Sequence, residues 1–118
     1  MSTATEKTAV DKAEEYYNST PADEFYFKIW GGTHIHVGIY DHAKEPIKDA
    51  SPKIVHMMAS KLKLDSNTKL LDLGSGYGGA ARFLAKKFGV QVTCLNLSET
   101  QNERNRGLNK EAGLDKLI

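Results

Sequence analysis

The chain is 118 residues long, 40% hydrophobic and 26% charged, which is the composition of an ordinary globular protein of at most one domain. Sixteen Lys and Arg against 15 Asp and Glu leave a formal net charge of +1, which offers no electrostatic case for a nucleic-acid or membrane partner. The lone cysteine, Cys94, excludes an intrachain disulfide and points to a reducing, cytoplasmic setting.

Met1 to Val10 is polar and carries no apolar core, so it reads as neither signal peptide nor anchor. Residues 2–8 read as a mobile tail. A short helix is predicted from Val10 to Tyr17. Thr20-Pro21 has the form of an N-cap followed by proline at the first helical position. The helix it opens carries Phe25, Tyr26, Ile29 and Trp30, and Gly31-Gly32 ends it. His34 to Tyr40 is extended or looped. Ser51-Pro52 gives another start signal, for a helix whose Ile54, Val55, Met58 and Leu62 form one apolar face. Asp65-Ser66-Asn67 closes it as a turn.

From Lys69 the pattern changes. Leu70-Leu71-Asp72-Leu73 is the short apolar run of a strand buried on both faces. Gly74 to Gly79 is a tight glycine-rich turn. Ala80 to Phe88 is a helix with Ala81, Leu84, Ala85 and Phe88 on one face, stopped by Gly89. Val90 to Leu95 is a second strand, Ser98 to Ala112 a second helix, and Leu117-Ile118 the start of a third strand. The order predicts an α/β fold with a parallel sheet and right-handed crossovers. Two strands and a stub leave an open edge, a place for self-association, and the chain reads as part of a larger doubly wound domain. The expected division is a helical cap over residues 1–66 and the first β-α-β-α over 67–118.

The strand must turn sharply into the helix, and Gly74 and Gly76 let the backbone approach a ligand closely. The stretch resembles methyltransferase motif I, acidic-x-Gly-x-Gly-x-Gly, through Asp72, Gly74, Gly76 and Gly78, with Ser75 between the first two glycines. It also fits the dinucleotide pattern Gly-x-Gly-x-x-Gly through Gly74, Gly76 and Gly79. Asp72 separates the two. A carboxylate suits the ammonium end of S-adenosylmethionine and is unfavourable beside a pyrophosphate. At the end of the second strand, Asn96 stands where ribose hydroxyls meet the protein. The Asn96 amide can accept from one hydroxyl and donate to the other, or serve only as a turn residue. Gln101 is near enough to reach the same ligand, but Ser98-Glu99-Thr100-Gln101 is also a capping box. Tyr26 and Trp30, four apart, either cap a cationic methyl donor or pack as core aromatics. His34 and His36 read as a loop pair, with a catalytic base as the alternative and no third ligand for a metal. The charges of Glu103, Arg104, Arg106, Lys110 and Glu111 read as a solvated helix face.

Leu70–Ala85, then Cys94-Leu95-Asn96-Leu97-Ser98 and Gln101-Asn102-Glu103-Arg104-Asn105, resemble the glycine/sarcosine/dimethylglycine N-methyltransferases. So do Asp23-Glu24-Phe25-Tyr26-Phe27-Lys28-Ile29-Trp30-Gly31-Gly32 and Ile35-His36-Val37-Gly38-Ile39-Tyr40. The resemblance runs from about Tyr16 onward. It implies a Rossmann-like class I methyltransferase fold, S-adenosylmethionine as cofactor, and stepwise methylation of a small amine toward glycine betaine. Tyr26, Trp30, Asp72, Gly74, Ser75, Gly76, Gly78, Asn96, Leu97 and Gln101 are the expected cofactor contacts. Thr33-His34 departs from the family, which commonly has an acidic residue directly after Trp-Gly-Gly. The family's later strands and most of its substrate pocket have no counterpart, so the 118 residues alone are expected to turn over weakly or not at all. An O- or C-methyltransferase, and a cofactor-binding module without catalysis, remain open alternatives.

Overall fold

The computed structural model describes residues 5–118; part of the polar tail, residues 1–4, lies outside the described residues. Helix α1 spans Ala9–Asn18. Its start is fixed by a capping box, in which Asp11 N–H donates to Thr8 Oγ and Thr8 N–H donates to the Asp11 carboxylate. Thr8, which the composition assigns to a mobile tail, is therefore a helix cap.

Helix α2, Thr20–Glu24, is capped by Ser19, one residue earlier than Thr20-Pro21 suggests; Ser19 Oγ accepts from Ala22 N–H. The coil then widens into a π-helical segment over Phe25–Trp30, and the N–H groups of Gly31 and Gly32 both donate to the Tyr26 carbonyl. Gly32 leaves this segment at φ +74°.

Helix α3 spans Ile47–Ala59. It begins before Ser51-Pro52, and Pro52 sits inside it. Pro46 ends the preceding extended stretch at ψ 142°, and Asp49 occupies the first turn. Ser51 is buried because it packs on the loop before the helix. Met58 and Leu62, expected on the apolar face, are 59% and 56% exposed, while Val55 and Ala59 are buried.

Strands β1, Lys69–Leu73, and β2, Gln91–Leu95, pair in parallel with Asp72 opposite Cys94. Helix α4, Gly79–Phe88, connects them and lays Ala81, Leu84 and Phe88 toward Val90 and Val92, with Ala85 also buried. Only this face of the sheet is covered among the described residues. Leu71 and Leu73 point to the other side, so β1 is not buried on both faces as its composition implies. Helix α5 runs from Glu99 to Glu111. No third strand forms at Leu117-Ile118 among the described residues, although Val92 N–H donates to the Leu117 carbonyl at 2.8 Å along the free edge of β2. No helix among the described residues is long and apolar enough to cross a membrane.

Two polar joints tie the N-terminal helices to the α/β part. Asn18 Oδ1, at the end of α1, accepts from Ser98 Oγ at 2.7 Å and Thr100 N–H at 3.2 Å. Asp23 accepts from Arg104 Nε at 3.0 Å, from Arg104 Nη2 and from the Tyr77 hydroxyl at 2.7 Å. The Arg104 guanidinium also lies 4.0 Å over the Phe27 ring. Arg104 is thus a clamp, and the solvated-face reading fails for it.

Candidate functional site

The strand ends, the glycine turn, the end of α1 and the loop after Gly32 enclose a crevice of about 770 Å³. Seven of the ten residues expected from sequence line it: Asp72, Gly74, Ser75, Gly76, Asn96, Leu97 and Gln101. Gly74 and Gly76 have φ of +73° and +55°, which a side chain rarely adopts. Nothing lies within 4 Å of where a Gly74 Cβ would stand.

Gly78 is the first exception. It sits at φ +76° as the N-cap of α4, and a Cβ there would meet Asn105 Oδ1 at 2.0 Å. Its bareness lets α5 approach the turn, so it serves helix packing and does not face the crevice. Tyr26 and Trp30 are also outside the lining. Their rings meet each other at 6.2 Å, and Tyr26 stands 6.2 Å behind Tyr17, which does line the crevice. Trp30 Nε1 donates to the His36 carbonyl at 3.4 Å, so it props the loop.

The Asn96 amide, which lines the crevice, is already engaged by the protein at both of its polar atoms. Gly76 N–H can only donate, and it lies 3.2 Å from Asn96 Oδ1. Asn96 Nδ2 therefore turns to Gln101 Oε1, at 2.9 Å. That leaves Gln101 Nε2 buried and without a hydrogen-bond partner. One backbone N–H thus sets the polarity of two side chains in sequence. The capping box is half formed. Ser98 Oγ accepts from Gln101 N–H at 3.3 Å, but the Gln101 side chain is committed to Asn96.

Asp72 is half-buried, and burial holds its carboxyl above the ordinary carboxylate range, with the nearby His36 acting in the opposite direction. Ser75 Oγ is buried without a partner. Four crevice residues thus carry unpaired buried polar atoms: Ser75, Gln101, His34 and His36. Native interiors pair such atoms, so their grouping in one crevice makes it the candidate site for a polar ligand. Burial, with the neighbouring His36 and Arg82 acting in the same direction, pushes the His34 imidazole down to about 4. Among the described residues no three His, Cys, Asp or Glu side chains converge on a metal position.

Sequence reading missed Tyr17, Thr33, Ile35 and Gly79 as walls of this crevice. Gly79 carried a signal: a Cβ on it would meet the Thr33 carbonyl oxygen at 2.2 Å, so the fourth glycine of the turn admits the loop.

A family profile described as mycolic acid cyclopropane synthetase matches residues 4–117. A glycine/sarcosine/dimethylglycine N-methyltransferase of Actinopolyspora halophila is 53% identical over 110 residues, covering 93% of this chain and 20% of that protein. A sarcosine/dimethylglycine N-methyltransferase of Halorhodospira halochloris is 50% identical over 119 residues, covering 100% of this chain and 43% of that protein. The crystal structure of a candidate sarcosine dimethylglycine methyltransferase from Galdieria sulphuraria superposes with a TM-score of 0.77 at 47% identity, over 87% of this chain and 40% of that one. The chain spans between a fifth and about two fifths of the length of these relatives.

Proposed function

Because the chain belongs to the mycolic acid cyclopropane synthetase family, whose profile it matches over residues 4–117, we propose that its crevice binds S-adenosylmethionine in an enzyme that N-methylates sarcosine or dimethylglycine. In this reading the helical segment up to residue 66 caps the donor, and residues 67–118 supply the cradle. The observation that carries it is the pairing of Asp72 with positive-φ glycines at the exit of β1, in a crevice lined by unpaired polar atoms. A carboxylate beside bare backbone favours a ligand that is cationic at one end. A pyrophosphate there would face Asp72 with like charge.

The donor, when bound, supplies a methyl group on a sulfonium. The tasks left to the chain's own residues are binding, orientation and exclusion of water. Asp72 provides negative charge for an ammonium, and Gln101 Nε2 provides a donor for a ligand oxygen or ring nitrogen. Gly74 and Gly76 leave room for the ligand against the strand end. The substrate amine must be neutral to attack, and a partly dry crevice favours loss of its proton.

Calorimetry with S-adenosylhomocysteine and with nicotinamide adenine dinucleotide tests the donor assignment. Binding of the first and not the second is expected; the reverse pattern overturns it. Transfer of labelled methyl to glycine, sarcosine and dimethylglycine, against unrelated phenols, tests the acceptor. Label on phenols in preference to the amines would move the reading to O-methylation. Donor binding with no transfer to any acceptor would reduce it to a binding module.

A further inference from the structure

His34 and His36 have no task in the reading above. Their rings meet edge to face with centroids 5.2 Å apart, and both line the crevice with Asp72. The Nε2 atom of each is buried and lacks a hydrogen-bond partner. A buried polar atom left unpaired is destabilising, and two in adjacent rings call for a ligand.

The backbone decides which ligand His36 can take. His36 Nδ1 lies 3.0 Å from the Val37 carbonyl oxygen. A carbonyl only accepts, so Nδ1 carries the hydrogen and donates it. In the neutral ring Nε2 then holds a lone pair and no hydrogen. The residue is also held in place. Its carbonyl accepts from Trp30 Nε1 at 3.4 Å and from the buried Ser51 Oγ at 3.3 Å. Two residues on, Gly38 rests so close to α3 that a Cβ would meet the Ala50 carbonyl carbon at 2.3 Å, and Ile39 N–H donates to the Ala50 carbonyl at 3.1 Å. The loop is fastened to α3 at the His36 carbonyl and again at Gly38 and Ile39, so Nε2 is a preorganised acceptor.

We propose that His36 Nε2, together with the Asp72 carboxylate, accepts hydrogen bonds from a ligand ammonium group. This rests on the donor-binding reading. An imidazole lone pair beside a carboxylate fits a cation that offers only donors, and it would repel a carboxylate or phosphate. The ammonium has two sources, the amino-acid end of the methyl donor and the amine substrate. His34, kept neutral by burial, adds no competing positive charge.

Nitrogen-15 NMR of the full chain reads the His36 tautomer without any ligand. The form with hydrogen on Nδ1 is expected, and hydrogen on Nε2 in the neutral ring overturns the proposal. Calorimetry then uses three probes: S-adenosylhomocysteine, 5′-methylthioadenosine, which lacks the amino-acid end, and sarcosine. The proteins are the unsubstituted chain, His36→Leu, and His36→Gln, whose amide oxygen can replace the acceptor. Loss of one charge-assisted hydrogen bond is expected to weaken binding roughly tenfold or more in His36→Leu, with most of it regained in His36→Gln. If His36 holds the donor's end, S-adenosylhomocysteine weakens and 5′-methylthioadenosine does not. If it holds the substrate amine, S-adenosylhomocysteine is unchanged and sarcosine weakens. Unchanged affinity for every probe in a folded His36→Leu chain overturns the proposal. If the unsubstituted chain binds neither adenosyl probe, the donor reading fails instead, and the tautomer and the sarcosine titration decide the role of His36 by themselves.

Discussion

Asp23→Ala is expected to loosen the N-terminal helices from the α/β part. The carboxylate it removes accepts from Arg104 Nε at 3.0 Å, from Arg104 Nη2 and from the Tyr77 hydroxyl at 2.7 Å. A hydrogen bond to a charged group contributes about 1.5–3 kcal/mol net. Stripping one partner from a fully buried pair costs about 3–5 kcal/mol. The Asp23 side chain is 10% exposed but the Arg104 side chain is 33% exposed, so the arginine regains part of its hydration. The Tyr77 hydroxyl keeps the Asp23 carbonyl, at 3.2 Å, as a second acceptor. These offsets bring the expected loss to about 2–3 kcal/mol. Urea unfolding followed by circular dichroism, on Asp23→Ala, Arg104→Ala and the double variant, measures the loss and its coupling. A coupling of about 1–2 kcal/mol is expected for groups in direct contact; strict additivity, within about 0.5 kcal/mol, would refute the clamp.

The same carboxylate gives a pH dependence. The hydrogen bond from Arg104 holds Asp23 below its ordinary value, with the Tyr77 hydroxyl adding to it. Its contribution is therefore present above about pH 4 and disappears as the pH falls through the folded-state value. The stability gap between the parent chain and Asp23→Asn should close in acid, and a constant gap down to about pH 2 contradicts the linkage. Gly78→Ala should cost more than about 2 kcal/mol, from the left-handed backbone and the Asn105 contact at 2.0 Å, whereas Gly74→Ala should cost only the backbone share of about 1–2 kcal/mol. Thermal melts of the two variants test the ranking, and equal losses would show that Gly78 does not govern the approach of α5. Asn96→Asp keeps the acceptor for Gly76 N–H but loses the donor to Gln101. The Gln101 amide should then rotate and turn Oε1 toward the crevice. Side-chain amide NOEs report the rotation, and an unrotated amide would show that Gly76 N–H does not set the orientation of Gln101.

The parts of the molecule legible in sequence are those fixed within a few residues. The run from Leu70 to Gly79 announces its strand, turn and helix because each glycine and each apolar residue acts locally, and the structure places Asp72, Gly74 and Gly76 on one crevice. Ser98 is similarly readable as a cap. Ser51-Pro52 does not mark the start of α3 because a proline is tolerated inside a helix when tertiary packing outweighs its local preference; here Ser51 is buried against His36. The widening at Phe25–Trp30 leaves four-residue spacing unable to say where Tyr26 and Trp30 point. The roles of Arg104, Asn18 and Gln101 depend on partners far along the chain or on a hydrogen-bond direction set elsewhere, and no local pattern carries either.

The clamp also bears on how the chain acquires its shape during synthesis. Asp23 and Arg104 are 81 residues apart, and Asn18 meets Thr100 across 82. At about 5–20 residues per second, a ribosome needs roughly 4–16 s to pass from one side of the Asp23–Arg104 pair to the other. Through that interval the aromatic segment around Phe25 and Trp30 is made but has no α5 to fasten to. Phe27 gains its covering cation only when Arg104 arrives, whereas Phe25 and Ile29 stay 41% and 72% exposed in the finished fold.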